Sequence, residues 1–190
     1  MSTTGKVSLQ SDMTAEVFVS WAETLDDGER YELVEGQPVR LQSEKVSHAR
    51  HKASAWLALR NAVRAAGSDC EAFPDGVSIR VNERTVREPD ALVHCGPYDG
   101  AEVFVSNPVI VLEVVSPSSA RDDSGRKLID YFSVSSIQHY LILYGDEQRV
   151  VHHRRTSVEG EIATRIVGRD DVLDLSPPGI SVSVDRLFDS

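Results

Sequence analysis

Apolar residues recur at helical spacing in three stretches of the chain, and each stretch is bounded by polar residues or glycine. The first stretch begins at Thr14 and stops at residues 26–28, which read Asp-Asp-Gly. The second covers residues 47–66 and stops before Gly67, and the third covers residues 124–133. Because glycine and short polar residues end helices, this pattern predicts three helices with these bounds.

Between and after these helices, alternating or continuously apolar runs predict strands. Residues 109–115 are nearly all apolar and β-branched, which indicates a central strand that is buried on both faces. Two hairpins are also predicted: one at 31–41, and one that joins 77–81 to 88–93 through a turn at 82–84. Further strands are predicted at 140–144, 149–153 and 161–167, and an apolar tail at 180–187 follows the Pro-Pro-Gly break.

The order of these elements is helix, hairpin, helix, several strands, helix and further strands. This order predicts an α/β (α+β) fold, in which helices pack against one mixed sheet. The length of 190 residues favours a single domain that covers residues 1–190, with residues 1–12 as a flexible N-terminal segment.

Composition and charge narrow the possible functions. The formal net charge of -10 at pH 7 argues against a protein that coats nucleic acid through a uniformly basic surface. It does not exclude a local basic groove. Cys70 and Cys95 are too few for a disulfide framework and lack the paired spacing of a zinc site, which favours a reducing cytoplasm. No signal peptide is evident at the N-terminus, and the longest apolar run, at 108–115, is too short to span a bilayer. No membrane role is expected.

The residue least expected from its surroundings is Glu113, in the middle of the predicted buried strand. A buried carboxylate needs a partner, because an unpaired buried charge costs several kcal/mol. A structural ion pair would explain the presence of Glu113 in this strand, and so would exposure to solvent at the end of the strand. Asp90 occupies a similar place at the start of another strand, and two acids at neighbouring strand ends suit a hard divalent cation such as Mg²⁺. Lys127 on the next predicted helix could orient a water molecule or neutralise charge on a phosphate, or could be a solvated helix residue.

The histidines and one basic cluster leave alternatives open. His48 and His51 share a helical face and could bind a metal or phosphate, although most surface histidines do neither. We place His48 near the site as a hypothesis and interpret His139 as a structural histidine. The cluster at residues 152–155, His-His-Arg-Arg, is either a contact to a nucleic-acid backbone or a solvated edge strand.

Several of these residues occur in a characteristic order. The chain contains Tyr31-Glu-Leu-Val-Glu-Gly36, a histidine at the head of the next helix, Glu88-Pro-Asp90 and Val109-Ile-Val-Leu-Glu-Val-Val-Ser-Pro-Ser118. Asp123 through Lys127, Tyr131 and Ser136-Ile-Gln-His-Tyr-Leu-Ile142 follow. From about Phe18 to Arg155 this order resembles the Uma-type restriction endonuclease family of bacteria, within the PD-(D/E)XK nuclease superfamily.

The resemblance implies a restriction-endonuclease-like core that hydrolyses phosphodiesters with Mg²⁺ or Mn²⁺. By position, Asp90 and Glu113 would be metal ligands, helped by the backbone carbonyl of Val114. Lys127 would be the lysine of the motif. Glu32 would be an additional acid from the N-terminal segment.

The chain departs from the commonest superfamily pattern at the lysine. That pattern places the lysine two residues after the glutamate, where this chain has Val115. The Uma-type family moves the lysine onto the following helix, which makes Lys127 the candidate. A register shift by an odd number of residues would exchange Glu32 for Glu35 as the additional acid.

The function expected from these residues is metal-dependent cleavage of nucleic acid, with DNA as the preferred substrate. A homodimer would supply two active sites for the two strands of a duplex. One competing hypothesis is a non-catalytic nucleic-acid-binding or interaction module with the same fold, which the net charge and the displaced lysine favour. Another is an enzyme that acts on a different phosphodiester or on a phosphorylated metabolite.

Overall fold

The computed structural model describes residues 12–25, 28–115 and 124–189. The predicted flexible segment at residues 1–12 lies outside the described residues except for Asp12. The part of the family motif between Ser116 and Asp123 also lies outside them.

The predicted helices and strands occur in the predicted order, and most of their bounds agree to within one or two residues. The strands at Cys70–Pro74, Thr85–Arg87 and Val172–Leu175 were not predicted. The helices are α1 (Ala15–Ala22), α2 (Val46–Ala65) and α3 (Ser124–Ser133), with a 3-10 turn at Val184–Leu187. The strands are β1 (Tyr31–Val34), β2 (Gln37–Arg40), β3 (Cys70–Pro74), β4 (Ile79–Asn82), β5 (Thr85–Arg87), β6 (Ala91–Cys95), β7 (Pro108–Val115), β8 (His139–Tyr144), β9 (Arg149–Arg155), β10 (Ile162–Val167), β11 (Val172–Leu175) and β12 (Ile180–Ser183).

The chain divides into two compact units. The first consists of residues 1–42 and 80–87, and the second consists of residues 43–79 and 88–190. The single domain predicted from the sequence stays a prediction.

The first unit contains α1 and most of a four-stranded sheet with the order β2-β1-β5-β4. Helix α1 begins where predicted, because the Thr14 side chain accepts a hydrogen bond from the backbone N–H of Val17 at 3.4 Å. Strands β1 and β2 form the predicted hairpin. Its turn places Glu35 and Gly36 at φ values of 50° and 79°, the conformation that a tight two-residue hairpin turn requires.

The second unit is built on a six-stranded mixed sheet with the order β10-β9-β8-β7-β6-β3. Strands β7 and β8 are parallel, whereas the other neighbouring pairs are antiparallel. Helix α3 connects the parallel pair, since it lies between β7 and β8 in the chain. The α/β (α+β) fold with a mixed sheet is therefore confirmed.

Both faces of this sheet are covered, which explains the continuous apolar run of β7. Ile110, Leu112 and Val114 belong to a core cluster that also contains buried residues of α2 and of the β11–β12 hairpin. Val111, between them, belongs to a second cluster with Tyr131 of α3. Alternate residues of β7 thus meet different helices, and a strand in this position needs apolar side chains on both faces.

The second predicted hairpin was wrong in its pairing. Residues 88–93 do not pair with residues 77–81. Strand β6 instead pairs with β3 and β7 in the six-stranded sheet, and β4 is the neighbour of β5. Strand β5 has only three residues, which is too short for a period-two pattern to be recognised in the sequence.

The two cysteines form a cross-strand disulfide that was not expected from the sequence. Cys70 of β3 lies directly opposite Cys95 of β6, and their sulfur atoms are bonded. The register of β3 and β6 brings the two cysteines together. Their separation of 25 positions in the sequence does not indicate that they pair. Because disulfides persist mainly in oxidising compartments, this pair argues against the reducing cytoplasm predicted from the cysteine count.

A buried histidine pair connects β8 to β9. His139 Nε2 lies 2.9 Å from the backbone carbonyl oxygen of Pro177, which can only accept, so His139 donates through Nε2. Its Nδ1 then accepts from Nε2–H of His152, also at 2.9 Å. Both ring nitrogens of His139 are satisfied, as expected for a structural histidine. Burial is the largest cause that lowers the pKa of each ring, to about 4.

We expect the free energy of unfolding to fall as the pH decreases from 6.5 to 4. Between these pH values the two histidines bind protons in the unfolded chain but not in the folded chain. Their contribution to stability is therefore fully present above pH 6.5, the pKa in the unfolded chain, and is lost as the pH falls towards about 4, the pKa in the folded chain. Each histidine contributes a slope of about 1.4 kcal/mol per pH unit.

Chemical denaturation of the wild type and of His152→Gln across this range tests the expectation. The glutamine can still donate to His139, and the variant should have a shallower slope between pH 4 and 6.5 and an unchanged slope between pH 7 and 8. Parallel curves throughout would show that the pair does not control the acid stability.

Within residues 12–25, 28–115 and 124–189, no helix combines the length and the apolar composition needed to cross a bilayer.

Candidate metal and catalytic site

Asp90 and Glu113 lie at the same end of the β6–β7 strand pair. Ala91, the first residue of β6, is paired with Leu112 of β7. Asp90 directly precedes Ala91, and Glu113 directly follows Leu112, so the antiparallel register carries both acids to this end of the pair. Each is largely removed from solvent, with exposed fractions of 9% for Asp90 and 5% for Glu113.

The two oxygens of Asp90 have different partners. Oδ2 accepts a hydrogen bond of 2.6 Å from the backbone N–H of Val114, which ties Asp90 to the residue after Glu113. Oδ1 lies 2.8 Å from the ammonium nitrogen of Lys52 on α2. A carboxylate held by a donor at each oxygen has a fixed orientation, which is what a metal ligand needs.

Glu113 is held by helix α3. The ammonium of Lys127 lies 2.9 Å from Glu113 Oε1, and the hydroxyl of Tyr131 donates to the same oxygen at 2.5 Å. Lys127 and Tyr131 are four positions apart and therefore lie on one face of the helix. The structure thus brings together Glu113 and Lys127, as the sequence predicted, and adds Tyr131.

Lys52 is a residue at this site that sequence reasoning missed. Its ammonium also forms ion pairs with Glu44 and with Asp75, the latter at 3.0 Å. Burial alone would lower the pKa of Lys52. The negative charge of Asp90 and the hydrogen bonds to Asp90, Glu44 and Asp75 outweigh this effect, so the pKa lies above its ordinary value of 10.5. The side chain is therefore a fixed positive charge.

His48 also lies beside Asp90, as hypothesised. His48 Nε2 is 3.9 Å from Asp90 Oδ2, and ligand atoms of Glu44, His48 and Asp90 all lie within 4.8 Å of one another. His51, by contrast, packs against Phe188 with ring centroids 6.2 Å apart, and burial is the largest cause that lowers its pKa. The two histidines therefore have different environments despite their shared helical spacing.

The donor set fits the divalent metal that the sequence implies. Carboxylate oxygens at fixed positions are the ligands that Mg²⁺ and Mn²⁺ prefer, and imidazole nitrogen is a ligand for transition metals. Asp90 and Glu113 could hold such an ion with the carbonyl oxygen of Val114, and His48 and Glu44 offer further donors near Asp90. The ligand roles of these residues stay predictions.

Glu32 lies in the first unit and is buried there against Arg87. The guanidinium Nη1 of Arg87 lies 2.8 Å from Glu32 Oε2, and both side chains are less than 5% exposed. Glu35, the alternative acid, is an exposed residue of the β1–β2 turn. Of the two acids, Glu32 is the buried one, and its role as the additional acid stays a prediction.

We expect Arg87→Met to lower the free energy of unfolding by about 3–5 kcal/mol, because the substitution leaves the Glu32 carboxylate buried without this guanidinium. Urea denaturation gives this value directly. Arg80→Met is the matched control, since Arg80 lies on neighbouring β4 and its ion pair with Glu16 is exposed. The control should change stability by less than about 1 kcal/mol. Equal losses in the two variants would contradict the importance of the buried pair.

The basic cluster at residues 152–155 is mainly structural, and the edge-strand alternative is wrong. Strand β9 lies between β8 and β10, so it is an interior strand. His152 is buried in the histidine pair. Arg155 donates to the backbone carbonyl oxygens of Phe132, Val134 and Ile137, which fixes the segment after α3.

The fold of the chain is shared with a protein of known structure. A solved structure from Anabaena variabilis, described as a putative nuclease belonging to DUF820, superimposes with a TM-score of 0.71 over 93% of this chain and 97% of that chain. The sequence identity is 15%, so this likeness concerns the fold. The nuclease-like mixed sheet predicted from the sequence is confirmed.

The chain belongs to the Uma2 family, whose description is "Putative restriction endonuclease" and whose family model matches residues 15–185. The uncharacterized protein slr1290 of Synechocystis sp. is 26% identical over 179 residues, which cover 93% of this chain and 91% of that protein. A second uncharacterized Synechocystis protein, sll1609, is 27% identical over 78 residues, or 41% of this chain and 44% of that protein. The family resemblance inferred from the motifs is confirmed.

Proposed function

We propose that the chain is a divalent-metal-dependent endonuclease that hydrolyses phosphodiester bonds in DNA. Family membership supports a nuclease-like function. The observation that carries the finer proposal is the pair of buried acids at one end of β6 and β7, each held by a lysine at 2.8–2.9 Å.

Asp90, Glu113 and the carbonyl oxygen of Val114 would hold the ion, either Mg²⁺ or Mn²⁺. When bound, the ion would supply Lewis-acid polarisation of the scissile phosphate and activation of a water molecule. The negative charge of the acids would otherwise repel an anionic substrate, so the ion must be bound before DNA is bound productively.

Lys127 would serve the reaction itself. Its ammonium is held against Glu113 and can donate to an attacking water and to the phosphate oxygens as negative charge accumulates on them. The hydroxyl of Tyr131 fixes Glu113 from the same helix face and keeps its oxygen in place. Water would attack phosphorus and release a proton to solvent, the bond from phosphorus to the leaving oxygen would break, and that oxygen would take up a proton from solvent. Glu32 is the additional acid in this proposal.

Double-stranded DNA is the proposed partner, and a homodimer would present one site to each strand. A cytoplasmic location stays a prediction, against which the Cys70–Cys95 disulfide argues.

A non-catalytic nucleic-acid-binding or interaction module is the second candidate, favoured by the net charge of -10. The test of the proposed function is incubation of the purified protein with supercoiled, linear and single-stranded DNA in Mg²⁺, Mn²⁺ or EDTA. Cleavage in Mg²⁺ or Mn²⁺ that EDTA abolishes is expected. Binding without cleavage under all metal conditions would favour the module.

A further inference from the structure

Lys52 lies where three carboxylates from three parts of the second unit converge. Its ammonium contacts Glu44, which precedes α2, Asp75, which follows β3, and Asp90, which precedes β6. Only 6% of the residue is exposed. A helix residue surrounded in this way acts as the internal cation of an acidic cage.

The contact with Asp90 connects this cage to the proposed metal site. Lys52 holds Asp90 Oδ1, and the backbone N–H of Val114 holds Oδ2. His48 approaches from the side of Oδ2, at 3.9 Å. Oδ1 of Asp90 therefore contacts the ammonium of Lys52, whereas Oδ2 faces the N–H of Val114 and the ring of His48.

Charge decides what this arrangement does to a divalent ion. A unit positive charge bonded to the same carboxylate lowers the affinity of that carboxylate for a divalent ion by about tenfold or more, even at the permittivity of water. The same ammonium neutralises part of the charge of Glu44 and Asp75. Without it, three carboxylates would face one another, which is a favourable setting for a second oxygen-bound cation.

We propose that Lys52 is a positioning residue of the proposed metal site: its ammonium fills the cation position between Glu44, Asp75 and Asp90, fixes Asp90 through Oδ1 and limits the pocket to one divalent ion. This inference rests on the proposed function for the identity of the wild-type ion. It goes beyond that function by assigning the cage and the lysine.

Mn²⁺ binding by the full chain, measured by isothermal titration calorimetry and by electron paramagnetic resonance of free Mn²⁺, tests the proposal. Lys52→Met should bind one more Mn²⁺ per chain than the wild type, with an affinity at the Asp90 pocket raised about tenfold or more. Lys52→Arg, which keeps the positive charge, should retain the wild-type stoichiometry. A folded Lys52→Met chain that binds the same number of ions as the wild type would overturn the proposal.

Arg64→Met is the matched control for loss of one positive charge, because Arg64 is an exposed residue of the same helix. It should leave the stoichiometry unchanged. Adding Glu44→Gln to Lys52→Met should remove the extra ion, since it takes away one wall of the cage. Retention of the extra ion in that double variant would place it elsewhere and contradict the assignment.

Failure of this inference is distinguishable from failure of the proposed function. If the wild type binds no Mn²⁺, the proposed cofactor is wrong, yet a gained ion in Lys52→Met still supports the cage. If Lys52→Met is unfolded in metal-free buffer, recovery of its circular dichroism spectrum on addition of Mn²⁺ supports the proposal, because the ion then replaces the lost charge. A chain that stays unfolded in saturating Mn²⁺ counts against it.

Discussion

Replacing Glu113 by glutamine is expected to lower metal-dependent DNA cleavage by about a thousandfold or more. Glutamine has nearly the same shape, and its side-chain oxygen can still accept from Tyr131 and Lys127. It lacks the negative charge that would hold a divalent ion. The substitution therefore removes the charge of the proposed ligand and leaves its packing largely unchanged.

The measurement is the initial rate of nicking of supercoiled DNA at saturating Mg²⁺, together with a thermal unfolding curve for each protein. Glu102→Gln is the control, because Glu102 is exposed in the segment before β7 and carries the same change of charge. It should cleave at the wild-type rate. Full activity in a correctly folded Glu113→Gln protein would exclude Glu113 from the reaction.

Replacing Asp90 by asparagine is expected to weaken Mn²⁺ binding by about a hundredfold or more, because one charged ligand of the proposed site is lost. The asparagine oxygen can still accept from the N–H of Val114, and Lys52 keeps Glu44 and Asp75 as partners. The fold should therefore persist with reduced stability. Calorimetric titration with Mn²⁺ in the absence of DNA gives the affinity without reference to activity.

Asp170→Asn serves as the comparison variant, since Asp170 is exposed in the turn after β10. Its Mn²⁺ affinity should match that of the wild type. Equal affinities in Asp90→Asn and the wild type would mean that any bound ion lies away from this carboxylate, and the assignment of Asp90 would then be wrong.

Glu113 could be recognised as a candidate site residue from the sequence because it contradicts its local surroundings. Glu113 is a charge inside an apolar, β-branched strand, which is expensive to bury and therefore conspicuous. Asp90 became a candidate because it lies at the start of another predicted strand, and Lys127 because of its place in the family motif. The three helices could be predicted because each has a long apolar period and a recognisable boundary, such as Thr14 at the start of α1.

The features that were missed depend on long-range contacts with no local signal. Lys52 lies in a stretch rich in charged residues and looks like a solvated helix residue, whereas in the structure it is buried and its ammonium contacts carboxylates that are distant in the sequence, such as Asp75 and Asp90. The partner of β6 could not be chosen from its sequence, because a short, mostly apolar strand that is buried on both faces can pair with several neighbours. The Cys70–Cys95 pairing follows from the same register.

The first unit is assembled from two separate pieces of chain, which bears on the order in which the molecule folds. Its buried ion pair joins Glu32 to Arg87 across 55 positions, and β1 pairs with β5 across a similar separation. Closing so long a loop costs conformational entropy before any contact is gained, and contacts of this kind slow folding. On the ribosome, residues 12–42 must wait until residue 87 has emerged. During this interval β1 lacks its β5 neighbour, and its backbone hydrogen-bonding groups on that side are open to other partners.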